Sequence, residues 1–214
     1  MHNLEADIIT MPAEALSDGL SSVMSAEEYL RLERLAIDKH EFLNGEVRTM
    51  PGASRYHNII ASNLNFALQL ALRAYPQLFA VFQSDMRVHS PLTNRYVYPD
   101  LVIVEQEQMC FLDDEQDTLL NPVVLMEILS PSTQDYDRLE KFEAYKSIAS
   151  LQEYVMIAQS EPHVEVFSRR QAHQWLYTES KGSDCLNGTL HLEALGVDIA
   201  LSEVYANVRF DTAK

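Results

Sequence analysis

The hydrophobic positions along the chain change period several times, and each change predicts an element. A first stretch of 23 residues has no periodicity and is expected to be a loose arm. Ser25-Ala26-Glu27-Glu28 then has the spacing of a capping box, and Tyr29, Leu32 and Leu35 or Ala36 give a short helix one apolar stripe. From His40 to Met50 the pattern turns around Asn44-Gly45, a pair suited to a type I′ turn because both residues tolerate positive φ, so a hairpin is predicted, ending at Pro51-Gly52. Between Tyr56 and Tyr75 the apolar residues Ile60, Leu64, Ala67, Leu68 and Ala71 return at helical spacing, with His57 on the same inward face. Three strands are expected next, in AVFQSDMRVH, RYVYPDLVIVE and VVLMEILS; the last two are apolar on both faces, as central strands covered on two sides are. Pro131 stops the third. Tyr136 to Ser147 reads as a helix, Glu153 to Ala158 as a further strand, and HVEVF with HQWLYTE as a terminal hairpin looping at Ser168 to Ala172. SEVYANV reads as a closing helix capped by Ser202. This interleaving, with no internal repeat or linker, predicts a single α/β domain over 24–214.

Two acids break the apolar pattern. Glu127 lies inside VVLMEILS and Asp100 inside YVYPDLVIV. An unpartnered buried carboxylate costs several kcal/mol or more, so each needs a cation, a metal ion or a bound proton. By strand alternation Glu127 shares a face with Val123, Leu125 and Leu129, and Asp100 with Tyr98, Val102 and Val104. Adjacent strands would set the two carboxylates side by side, and a divalent ion relieves their repulsion by taking oxygen ligands from both. A structural Arg or Lys partner is the other way to bury such an acid. Downstream, Asp137, Lys141 and Tyr145 fall at i, i+4 and i+8 along one helix edge, a spacing that also suits a solvated face.

Composition narrows the setting. A chain of 214 residues buries a proper core, and its two cysteines, Cys110 and Cys185, sit in neither a C-x-x-C nor a Cys/His zinc spacing. The N-terminal MHNLEADIITMPAE has acids where a signal peptide would be basic, and no apolar run is long enough to span a bilayer, so a cytoplasmic protein with no membrane partner is expected. The net charge of −16 runs against the basic face that nucleic-acid binders usually carry. The acids are partly concentrated in Glu105 to Asp117, expected to be a solvated loop, and the field at a site can differ from the global one, particularly where a divalent ion adds positive charge. With six glycines and no G-x-S-x-G, Walker, G-x-G-x-x-G or H-E-x-x-H motif, other common chemistries find no foothold.

The order of long helix, three strands, helix and strand, with PD in the second strand and an acid near the end of the third, resembles the core of the PD-(D/E)XK nuclease superfamily. EEYLRLE, HEFLNGEV, YPDLVIV, MEILSPST, the Asp137 to Tyr145 pattern and LQEYVMI together resemble its Uma-type family of restriction-endonuclease-like proteins, over roughly residues 24 to 205. One departure stands out: the superfamily's usual lysine two residues after the Glu is Leu129 here, and Lys141 on the following helix matches the Uma-type position.

The resemblance implies a restriction-endonuclease-like αβββαβ core, a mixed central sheet flanked by helices, with an N-terminal helix and hairpin and a C-terminal β-hairpin. It implies a metal-dependent endonuclease hydrolysing phosphodiester bonds of DNA, with Asp100, Glu127 and the Ile128 carbonyl as ligands of Mg²⁺ or Mn²⁺ and Lys141 polarising the attacking water. His57 resembles a residue that some superfamily members add from the first helix, or is a satisfied core histidine. Glu41 matches a family acid, as an additional ligand or a support to the ligands, or is a surface acid; Asp85 has a weaker claim of the same kind. Tyr145 would orient Lys141 or touch phosphate, or simply pack. A homodimer is expected, since a duplex has two strands to address. The alternatives are a non-catalytic binding or assembly module that retains the site, and a hydrolase of a smaller phosphodiester.

Overall fold

The structure is a computed structural model that describes residues 23–75, 78–131 and 136–210. Apart from Val23, the expected arm lies outside them.

Only half of the capping box forms: Ser25 Oγ accepts the Glu28 amide at 3.1 Å and opens α1 (Ala26–Glu33), while the Glu28 carboxylate bonds Arg31 instead of reaching back to the cap. Of the predicted stripe Tyr29 is buried, Leu32 is half-buried and Leu35 is exposed, because the helix ends before it; Leu30 and Glu33 complete the buried face of α1. Asn44 and Gly45 take φ of 52° and 105° and join β1 (His40–Leu43) to β2 (Glu46–Thr49) in the expected hairpin. Ser54 caps α2 (Arg55–Leu72), which buries Ile60, Ala61, Leu64, Ala67, Leu68 and Leu72.

Two of the three expected strands are each two strands. AVFQSDMRVH contains β3 (Phe79–Gln83) and β4 (Arg87–Ser90), broken at Ser84, whose φ of 61° cannot continue a ladder. RYVYPDLVIVE contains β5 (Arg95–Val97) and β6 (Leu101–Glu105), broken at Tyr98-Pro99-Asp100, where proline has no N–H to give. Further strands are β7 (Thr118–Leu119), β8 (Val124–Leu129), β9 (Glu153–Ala158), β10 (His163–Gln171), β11 (Gln174–Lys181), β12 (Thr189–Leu192) and β13 (Val197–Ala200). Each break sends the chain from one sheet to another. A six-stranded mixed sheet has the order β11-β10-β9-β8-β6-β3, with β8 and β9 parallel, and a five-stranded sheet has the order β2-β1-β5-β4-β7. β12 and β13 form a small hairpin not expected from the sequence.

Both faces of the six-stranded sheet are covered, as the unbroken apolar runs require. Ile60, Leu64 and Leu68 of α2 pack on Leu101, Ile103, Met126 and Ile128. Val102, Val104, Leu125 and Leu129 point the other way, against Phe142, Tyr145 and Ile148. Burying each such side chain contributes about 1.5–3 kcal/mol. Glu127 projects among this second set with Leu125 and Leu129; Val123 does not share its face, because it precedes the regular strand and packs on the α2 side.

The helix expected over Tyr136–Ser147 is a π-helical turn, Tyr136–Lys141, running into α3 (Phe142–Tyr145). The terminal hairpin is longer than predicted, with β10 and β11 turning at Ala172-His173. Near the end, α4 (Ser183–Leu186) and α5 (Leu201–Val204) are single turns, and Ala200, not Ser202, is the capping position of α5. The acidic stretch is not merely a solvated loop: Asp113 and Asp117 hold Arg34, and Asp117 also holds Arg87, which is 2% exposed. Among the described residues no helix is long and apolar enough to cross a membrane.

Candidate active site

The site lies where the two large sheets part. β6 and β8 pair antiparallel with Leu101 opposite Met126, so the next pair of that register sets Asp100 opposite Glu127, on one face. One step further, at a hydrogen-bonding position, Ile128 faces Pro99. The proline has no N–H for the Ile128 carbonyl, and the Ile128 amide donates instead to Asp100 Oδ2 at 2.7 Å. The dipeptide Pro99-Asp100 thus does two things: it denies the Ile128 carbonyl a ladder partner at the end of the β6–β8 pairing, and it brings a carboxylate to the same place.

His57, one turn into α2, completes this side. Its Nε2 lies 3.1 Å from Asp100 Oδ2, while Nδ1 is buried without a hydrogen-bond partner among the described residues. Ser54, which caps the helix through the His57 amide, is hydrogen-bonded to Gln159 at the end of β9, so the helix start is tied to the strand beside β8.

On the other side stands Lys141. Its Nζ lies 3.0 Å from Glu127 Oε1 and 3.3 Å from both Glu41 and Asp137, with the lysine side chain 7% exposed. Tyr145 donates to the same Glu127 oxygen at 2.9 Å, and Tyr136 donates to Glu41 Oε2 at 3.1 Å. The π-helical turn places Asp137 and Lys141 over the sheet; β1 supplies Glu41 from the neighbouring sheet. Glu41 is therefore buried, not a surface acid. Asp85 is outside this cluster: it pairs with Lys39 and is 82% exposed.

Negative charge is in surplus here. Burial raises the Glu127 carboxyl well above its ordinary 4.5, with Asp137, Asp100 and Glu41 adding to the effect against Lys141. Burial opposes the Lys141 ammonium, but Glu127, Glu41, Tyr145 and Asp137 outweigh it and raise Lys141 well above 10.5. Both directions have one meaning, that the cluster holds on to protons. Among the described residues no three His, Cys, Asp or Glu side chains are arranged around a common metal position; Glu41, Glu127 and Asp137 converge on an ammonium. The donor set on the other side, Asp100, Glu127 and the Ile128 carbonyl, is all oxygen, which suits a hard divalent cation that keeps water in its remaining positions.

These groups lie at the base of a cleft of about 920 Å³, whose wall includes Lys39, Arg48 and Tyr136. A family model described as "Putative restriction endonuclease" (Uma2) matches residues 26–201. The chain belongs to this family. It is 35% identical over 164 residues to "Uncharacterized protein sll1609" of Synechocystis sp., covering 77% of this chain and 91% of that protein. It is 28% identical over 189 residues to "Uncharacterized protein slr1290" of the same organism, covering 87% and 94%. Its fold is similar to that of a putative nuclease belonging to DUF820 from Anabaena variabilis, with a TM-score of 0.69 at 15% identity, covering 86% of this chain and 98% of that one. The fold is thus restriction-endonuclease-like, as the resemblance implied.

The fold brings Asp100, Glu127, Lys141, His57 and Glu41, the residues expected from the sequence, to one site, and adds the support of Tyr136, Ser54 and Gln159, which the sequence did not lead one to expect. Gln159 directly follows the apolar run EYVMIA, a polar residue at a strand end like Ser130 after VVLMEIL, and that parallel was the available signal.

Proposed function

We propose that this chain is a Mg²⁺- or Mn²⁺-dependent endonuclease that hydrolyses phosphodiester bonds of DNA, acting in the cytoplasm as a homodimer built from one nuclease domain per chain. The observation that carries this reading is the pairing of Asp100 with Glu127 across β6 and β8, beside a carbonyl that Pro99 leaves without a ladder partner and a buried lysine.

Asp100, Glu127 and the Ile128 carbonyl would hold the ion, which when bound supplies a more acidic water and positive charge at the scissile phosphate. The residues of the chain do the rest. His57 and the Ile128 amide orient Asp100, leaving its carboxylate few alternative rotamers. Lys141 holds a proton at Nζ and directs it towards the water and the phosphate oxygen, while Glu41 and Asp137 keep the ammonium in place. Lys39 and Arg48 line the wall of the cleft, each paired with a neighbouring acid, Asp85 and Glu46, so a phosphate entering there competes with those carboxylates for them.

A second reading is hydrolysis of a smaller phosphodiester, which needs no extended basic surface; the −16 charge favours a third, a non-catalytic binding or assembly module that retains the site. Supercoiled plasmid incubated with the protein and Mn²⁺ should be nicked or linearised, with no cleavage in EDTA or by Glu127→Gln. Hydrolysis of bis-p-nitrophenyl phosphate with an intact plasmid favours the second reading. No hydrolysis of either substrate by folded, Mn²⁺-bound protein leaves the non-catalytic module as the reading.

A further inference from the structure

Glu33 belongs to α1, reads as one more acid of a surface helix, and yet is 7% exposed. Its Oε1 accepts the His40 amide at 2.8 Å and the Tyr98 hydroxyl at 3.0 Å, and its Oε2 lies 3.0 Å from His40 Nδ1. One carboxylate therefore joins the residue before Glu41 to the residue two before Asp100.

The register shows what that bond replaces. β1 and β5 pair with Phe42 opposite Tyr96, and the Asn44 amide bonds the Asn94 carbonyl, so residues 44 and 42 are hydrogen-bonding positions of this ladder. The next such pair is His40 with Tyr98, and it does not form. The His40 amide goes to Glu33, and the His40 carbonyl accepts the Tyr29 hydroxyl at 2.6 Å. Both backbone groups that would have bonded Tyr98 are taken by α1. Released from β1, the chain leaves the five-stranded sheet at Tyr98, crosses at Pro99 and enters β6 with Asp100 opposite Glu127.

A wider ring holds the crossing. The Tyr98 hydroxyl accepts from Arg87 at 3.0 Å, Arg87 pairs with Asp117 at 2.7 Å, and Asp117 pairs with Arg34, the residue after Glu33. Every member is satisfied, which is the condition under which a buried polar network specifies one geometry.

We propose that Glu33 is a positioning residue for Asp100: by capping His40 it ends the β1–β5 ladder two residues early and sets where the chain crosses between the sheets. Its value for metal binding rests on the nuclease reading; its effect on Asp100 does not. Without the cap, His40 and Tyr98 are free to pair, which draws residues 98–100 towards β1 and away from Ile128.

Amide hydrogen exchange by NMR on the full chain tests this without metal, because the Ile128 amide is protected by Asp100. In Glu33→Ala the Ile128 amide should exchange faster while Val155, in the same sheet, is unchanged; Tyr29→Phe should shift Ile128 in the same direction, and Glu33→Gln, whose amide oxygen still accepts from His40 and Tyr98, should restore protection. Isothermal titration with Mn²⁺ should show affinity about tenfold weaker in Glu33→Ala, the scale for a residue that orients a ligand. Equal acceleration at Ile128 and Val155, or Ile128 exchange as in wild type, overturns the proposal. If Glu33→Ala does not fold, the same comparison in Tyr29→Phe decides it. Wild type that binds no Mn²⁺ defeats the nuclease reading, and the exchange at Ile128 still decides the role of Glu33.

Discussion

Lys141 and Glu127, fourteen residues apart in sequence, meet at 3.0 Å with both side chains more than nine-tenths buried. The lysine that the linear pattern lacks at Leu129 thus reaches the acid from the following helical turn. Because Glu41 and Asp137 also face the same ammonium, the pair is not an isolated salt bridge but part of a cluster with more acids than bases.

That surplus decides what Glu127→Gln should do. Neutralising one acid leaves Lys141 with two carboxylate partners, so the variant should be at least as stable as wild type without metal. Wild type should gain about 2.7 kcal/mol at a hundredfold excess of Mn²⁺ over its dissociation constant, and Glu127→Gln little. Thermal melts of both proteins with and without Mn²⁺ measure this. A variant several kcal/mol less stable, beside a wild type indifferent to Mn²⁺, would mean that Glu127 is there only to pair with Lys141.

The same surplus gives a pH dependence. Glu127 is raised above the 4.5 of its unfolded state, so between 4.5 and the raised value the folded protein binds more protons than the unfolded one. Metal-free stability should therefore fall as pH rises through that window, and the slope should shrink in Glu127→Gln. Urea titrations at a series of pH values test the sign; a slope that is flat or rises with pH in wild type contradicts it.

Removing the cation should be far worse than removing an acid. Lys141→Met takes from Glu41, Glu127 and Asp137 the cation they share and should cost about 3–5 kcal/mol at neutral pH, with part of the loss recovered at acidic pH as Glu127, already raised by burial, takes up a proton. Chemical denaturation at the two pH values checks both parts.

His57 offers a separable test, since it touches Asp100 but not the Lys141 cluster. His57→Ala should weaken Mn²⁺ binding by about tenfold by loosening Asp100. Calorimetric titration alongside a melting curve distinguishes this from a general loss of stability, which would lower the melting temperature and leave the affinity of the folded protein unchanged.

At the far end of the ring, Asp117 bonds Arg34 and Arg87; although burial opposes it, those bonds depress its carboxyl well below 3.8. A depressed acid contributes stability above its unfolded value that is lost as pH falls through the folded one. Asp117→Asn should cost about 2 kcal/mol, less than for a fully buried pair because Asp117 is a third exposed, and should flatten the acid limb of the stability curve.

Whatever depends on neighbours along the chain could be read from the order of residues. Ser25 and Glu28, Asn44-Gly45 and the stripe from Ile60 to Leu68 specify their cap, turn and helix through backbone chemistry and periodicity alone. Unbroken apolar runs around Asp100 and Glu127 marked both acids as anomalies, because a carboxylate is costly there whatever surrounds it. What compensates them is set by packing between elements far apart in the chain. Nothing local distinguishes the Lys141 edge from a solvated helix face, or Glu33 from an ordinary surface acid; each becomes buried because distant strands close over it. A strand that changes sheets keeps its apolar alternation, so the change of sheet at Ser84 left no mark in the pattern. At the second break Pro99 stood in the strand itself, but the α1 carboxylate that ends the other ladder belongs to a distant element and meets it only in the fold.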